Sequence, residues 1–155
     1  MSDGELTAFL EEERTVVAAT AGHDGWPHLM PLWYVLRPGP DGRPRLWAWT
    51  FAKSQKVRNL ERDLRATLQV EAGSAYHELR GAMLRTHATI HRDPDTVLGV
   101  GLELMARYAG PGADAAPPAA EAADALRAQA SKRVALEFAE VGRSTWDHRK
   151  LGGAY

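Results

Sequence analysis

The chain is a succession of short β-prone apolar runs separated by Gly- and Pro-rich turns, and this alternation limits its fold more than any other feature. Arg14 to Ala21 (RTVVAATA) predicts a first strand, and Gly22-His23-Asp24-Gly25 a hairpin-type turn after it. Pro27 to Leu36 predicts a second strand. Its internal prolines each withdraw an N–H from the ladder, so an edge or bulged strand is expected. A second turn (Pro38 to Pro44) leads to a third strand, Arg45 to Phe51. Ala66 to Ala72, Tyr76 to His91 (two or three strands, with Gly81 as a bulge or bend) and Lys132 to Val141 complete the β-rich set. About six antiparallel strands with interspersed helices predict an α+β domain or a closed barrel.

Helical periods interrupt this pattern. Ser2 or Asp3 caps a first helix that presents Leu6, Phe9 and Leu10 on one face. Val97, Val100, Leu104 and Tyr108 fall at helical spacing after Pro94, which suits a first helical turn. Gly110 to Pro118 reads as a loop and Ala119 to Ala130 as a further helix. The end, Gly142 to Tyr155, reads as a polar and aromatic tail. The expectation is a single domain over residues 1–155, with a helical insert around 94–130 and a tail at 142–155.

Composition removes several classes of function. Lys plus Arg number 19 and Asp plus Glu 20, so the surplus positive charge that polyanion binding requires is missing, and no nucleic-acid partner is expected. The absence of cysteine excludes disulfides, thiolate catalysis and Cys-based metal sites. The acidic start, Met1 to Glu13, does not read as a signal peptide. No run approaches the ~20 apolar residues of a membrane span. The expectation is a soluble, cytoplasmic protein. His87 and His91 are four apart, but on a strand that spacing is about 13 Å, too far to share an ion. No metal site is expected.

The chemistry-bearing segment follows the third strand: Lys53-Ser54-Gln55-Lys56-Val57-Arg58-Asn59-Leu60. A strand running into a helix start offers unpaired N–H groups and partial positive charge. Ser54 and Gln55 add donors, and Lys53, Lys56 and Arg58 add formal charge, which together suit a phosphate. Lys56 and Asn59 share a helical face while Val57 and Leu60 turn inward. The same run also fits a solvated amphipathic helix salted by Glu61, Arg62 and Asp63. Trp33, Trp47 and Trp49 read chiefly as packing residues. Thr50 lies on the face opposite Trp47 and Trp49, next to the phosphate candidate.

Several blocks, in this order, resemble the pyridoxamine 5'-phosphate oxidase-like split β-barrel superfamily: RTVVAAT (14–20), GWPHLMPLWY (25–34), AKSQKVRNLERDLRATLQVE (52–71), YHELRGAMLRTHATI (76–90), ARYAGP (106–111) and STWDHRKLGG (144–153). Within it the chain is similar to the actinobacterial branch of deazaflavin (coenzyme F420)-dependent oxidoreductases and F420-binding proteins, through K-x-x-N-L and the W-D-H-R-K ending. The resemblance implies a six-stranded antiparallel split β-barrel, Greek-key, with peripheral helices. It implies a homodimer with cofactor sites at the interface. Lys53, Ser54, Lys56 and Asn59 would hold the phosphate of coenzyme F420 or, alternatively, FMN. Pro31, Leu32, Trp33 and Thr50 would line its ring, with Trp146 a further candidate from the partner. The implied activity is hydride transfer to an unidentified small organic acceptor, with a non-catalytic F420 carrier as another outcome. No catalytic residue is singled out, and solvent or Tyr34 is the expected proton source.

Overall fold

The computed structural model describes residues 1–109 and 120–152, without the side chains of residues 120–123. The predicted Gly110–Pro118 loop and residues 153–155 of the predicted tail lie outside the described residues. The six strands are β1 (Thr15–Ala21), β2 (Pro27–Pro38), β3 (Pro44–Phe51), β4 (Arg65–Ala72), β5 (Arg80–His91) and β6 (Arg133–Asp147). They close an antiparallel barrel in the order β1-β2-β3-β6-β5-β4. Three hairpin-linked strands are followed by a β4 that returns beside β1, which is the Greek-key step.

Strand alternation sorts the side chains. Val16, Ala18, Leu32, Tyr34, Leu46, Ala48, Leu68 and Leu84 fill the barrel, and α1 (Asp3–Glu12) and α2 (Gln55–Arg62) complete the same core. Ser2 caps α1 with Glu5 in a reciprocal capping box, so Leu6, Phe9 and Leu10 face inward as predicted. These residues meet Leu46 near the start of β3, whereas α2 bonds to Thr50 near its end. The two helices therefore close opposite ends of the barrel. Outside it, α3 (Pro94–Tyr108) packs Val97, Val100 and Leu104 on Val35, Trp47 and Ala135, forming a second apolar layer with Ala130 of α4 (Ala120–Ala130). Trp47 and Trp49 are packing residues of this layer.

Three sequence expectations change. β2 is not an edge strand: it pairs with β1 along Pro27–Trp33 and with β3 along Tyr34–Pro38, so its prolines sit where only one side is paired. Tyr76–His91 is a short 3-10 turn (Tyr76–Glu78) and one strand, with its irregularity at Arg85/Thr86 rather than at Gly81. Gly81 serves a different purpose, because a Cβ there would lie 2.3 Å from the Trp146 ring. The supposed tail continues β6: Ser144, Thr145, Trp146 and Asp147 pair with Met83, Ala82, Gly81 and Arg80. Polar composition misled the reading there, because the pairing that extends β6 is made by backbone bonds to β5, which need no apolar run.

Candidate functional site: an opening in the barrel wall beside α2

The β2–β3 ladder is short. It runs from Tyr34↔Ala48 to Pro38↔Pro44 and stops. Beyond that point β2 remains paired only to β1, as far as Ala21↔Pro27, and β3 only to β6, as far as Phe51↔Arg133. The wall is therefore unpaired between Pro27–Trp33 and Trp49–Phe51. Pro31 has no N–H to offer a rung there. Leu32 points inward and is buried, whereas Pro31 and Trp33 are exposed on the outer face. Thr50 stands on the opposite lip, buried and inward.

The chain leaves β3 through Lys53 and enters α2 with Ser54 at the N-cap. An N-cap serine ordinarily accepts a bond from the first helical turn. Ser54 makes no such bond, and its Oγ is buried without a partner among the described residues. Two residues on, Lys56 is only 7% exposed and donates from Nζ to Thr50 Oγ1 at 3.1 Å. Burial pushes the Lys56 ammonium below its ordinary pKa, and no neighbouring charge opposes that shift. A buried ammonium held by a single neutral hydroxyl is costly without an anion.

Asn59 is fully buried behind this turn. Its Nδ2 donates to Thr20 Oγ1 at 3.0 Å, and its Oδ1 accepts from Gln55 at 2.8 Å and from Arg62 at 2.9 Å. Lys56 and Asn59 do share a face, but that face turns into the barrel beside Val57 and Leu60 rather than out to solvent. The solvated-helix reading thus fails for these two residues. It holds for Lys53, Gln55 and Arg58, which are exposed. Asn59 secures the helix start to β1, while Lys53, Ser54 and Lys56 lie on the turn that runs from the Thr50 lip into α2.

Sequence reasoning missed three contributors. Thr20 and His28 are register partners on β1 and β2. Thr20 anchors Asn59, and His28 has a buried Nδ1 without a partner among the described residues. Their roles arise from strand register, for which no local motif exists. Tyr108, at the end of α3, stacks on Trp33 with ring centres 4.4 Å apart and planes 12° apart. Its hydroxyl bonds to Arg14 O and accepts from Tyr34 N at 3.0 Å, extending the β1–β2 ladder by one bridged rung. Tyr34 itself is fully buried and donates to Leu10 O at 2.7 Å, and burial drives its phenol well above the ordinary range. It has no route to deliver a proton, so that expectation is withdrawn. Among the described residues, no cluster of three or more His, Cys, Asp or Glu is arranged to hold a metal, and no helix is long and apolar enough to cross a membrane.

The fold and this opening define a split-barrel protein. Residues 2–139 match the family Pyridoxamine 5'-phosphate oxidase, and the chain belongs to that family. A conserved hypothetical protein of Mycobacterium tuberculosis is 36% identical over 100% of this chain and 90% of its own, with a TM-score of 0.84. An F420 reductase shares the fold at 23% identity, covering 88% of this chain and 94% of its own, with a TM-score of 0.64. A putative pyridoxamine 5'-phosphate oxidase of Listeria innocua does so at 11% identity, 95% and 99% coverage and a TM-score of 0.66. The comparison with curated proteins returned no match.

Proposed function

We propose that this chain is an F420-binding oxidoreductase that uses reduced deazaflavin for hydride transfer to a small organic acceptor. The observation that carries the reading is the buried, carboxylate-free Lys56 beside the partnerless Ser54 hydroxyl, at the opening between β2 and β3. A phosphate there would satisfy both groups, with Lys53 adding charge from the rim and Asn59 holding the turn in place. Thr50, Leu32, Pro31 and Trp33 border the opening and would flank a flat ring. When bound, the deazaflavin supplies the hydride; the chain supplies position and excludes water. The N-terminal half of β2 has one free backbone edge, which can hydrogen-bond the polar rim of a ring. With Tyr34 sealed in the core, the proton comes from solvent.

The working form would be a homodimer. Val17, Leu29 and Trp33 are exposed on the outer face of β1 and β2, a cluster of apolar side chains of the kind that marks an association surface. Two sites formed at that surface would each be completed by the partner. FMN also ends in a phosphate beside a tricyclic ring and would use the same turn. Titrating F420 and FMN side by side, with tryptophan fluorescence as the readout, separates them. Tighter binding of F420, together with oxidation of its reduced form by an acceptor panel, is the expected outcome. Binding of FMN alone would replace the reading, and F420 binding without turnover would make the protein a carrier. Light scattering should give twice the chain mass.

A further inference from the structure

A cavity lies on the outer side of the barrel between the start of α3 and the end of α4. It encloses about 400 Å³, within the range of small-molecule pockets. Its apolar lining is Pro94, Val97, Leu98 and Ala130, and three guanidinium groups border it: Arg92, Arg127 and Arg133. Two of these are already neutralised. Arg92 pairs with Glu61 at 2.5 Å and Arg127 with Asp124 at 2.9 Å. Arg133 has no carboxylate partner among the described residues. Its Nη1 donates to Gln129 O at 3.1 Å.

The Arg133 guanidinium is also held in place. Its centre lies 4.5 Å from the Trp49 ring and 4.3 Å from the Phe51 ring. Aromatic contact of this kind orients the plane and leaves the N–H edges for planar acceptors. A rigid fork at the rim of an apolar cavity takes a carboxylate or a phosphate, and with Arg133 the one guanidinium of the three not paired to a carboxylate among the described residues, the singly charged group fits better: a carboxylate carried on a compact apolar body. Asp95 is the one acidic group of the lining, so selectivity for an anion rests on the Arg133 fork and not on a surplus of positive charge.

We propose that this cavity binds a small amphipathic carboxylate, an aryl or branched-alkyl acid, with Arg133 taking the carboxylate and α3 and α4 the apolar body. The cavity's lining shares no residue with the opening at Lys56, although Arg133 stacks on Trp49 and Phe51 from the outer side of the opening's β3 lip, and the proposal does not depend on which cofactor that opening takes.

The test uses the whole chain, 2-naphthoate as the ligand and 2-naphthamide as its neutral counterpart, with calorimetry and tryptophan fluorescence as readouts. The expected result is one naphthoate per chain, binding at least tenfold tighter than the amide and undisturbed by saturating F420 or FMN. Arg133→Gln should weaken naphthoate at least tenfold and leave the amide unchanged. Arg133→Lys should recover only part of the loss, because an ammonium lacks the fork. If Arg133→Gln fails to fold, Ala130→Leu serves in its place, since filling the apolar floor should abolish binding of both ligands. Equal affinities for acid and amide, no binding of either, indifference to the substitutions, or displacement by F420 or FMN would each overturn the proposal.

Discussion

Lys56→Met separates binding from stability in a way that few substitutions do. Methionine keeps most of the length and apolar volume of the side chain while deleting its charge. In the liganded protein the ammonium would make a charge-assisted bond to phosphate, worth about 1.5–3 kcal/mol. At about 1.4 kcal/mol per decade, its loss weakens cofactor binding by roughly 10- to 150-fold. In the unliganded protein the sign reverses. The ammonium is buried, bonded only to Thr50 Oγ1 at 3.1 Å, and destabilised by burial. Its removal relieves that desolvation and forfeits one neutral acceptor, so the variant should be as stable as wild type or more so, by up to about 2 kcal/mol. The pH dependence provides an internal check. Since the folded-state pKa lies below the ordinary 10.5, the unfolded chain binds more protons between those two values. Wild type should therefore gain stability relative to Lys56→Met as pH rises through that window. The comparison cancels Tyr34, whose raised pKa acts equally in both proteins. Urea melts from pH 7 to 10.5 and fluorescence titrations with F420 measure the two quantities. A variant that is clearly less stable without ligand, yet binds F420 unchanged, would refute the reasoning on both counts.

Other substitutions test the frame around the site. Tyr34→Phe removes one of two donors to Leu10 O, the other being Arg107 Nη2 at 2.9 Å, and should cost about 0.5–1.5 kcal/mol in a denaturant melt; a change in the pH dependence of turnover at equal folding would restore Tyr34 as a proton source. Gly81→Ala places a methyl 2.3 Å from the Trp146 ring and 2.8 Å from Val70 O, and should destabilise by roughly 1–3 kcal/mol with a shift in tryptophan emission. The bond from Arg149 holds the Asp147 carboxyl at about 2, against an ordinary 3.8. That contribution is full above the ordinary value and lost as pH falls through the folded one, so the melting difference between wild type and Arg149→Gln should shrink from pH 5 to pH 2. A constant difference would count against the pair.

The fold was largely readable because strand boundaries carry local signals. Gly25, with φ of 84°, and Gly42, with φ of 76°, mark the first two turns, and alternation placed Leu46, Ala48 and Thr50 opposite Trp47 and Trp49. What stayed hidden was pairing. Composition does not show that β2 trades one neighbour for another at Tyr34, and this exchange is what opens the wall beside Lys56. Ser144–Asp147 resembled a tail because no apolar run announces a strand whose partner is already fixed by β5. The burial of Lys56 and Asn59 was invisible for a related reason. A helix of eight residues across a barrel end can bury polar groups only if threonines from other strands meet them, and Thr20 and Thr50 lie 39 and 6 residues away in sequence from their partners. The positive charge at the start of α2 was legible, since charge at a helix start needs no tertiary information.

Difference density from crystals grown with saturating F420 tests the central claim most directly. The account predicts phosphate oxygens in bonding distance of both Lys56 Nζ and Ser54 Oγ, with the ring in the gap between Pro31–Trp33 and Thr50. Ordered cofactor anywhere else, with the Ser54 hydroxyl still unmet, would contradict it.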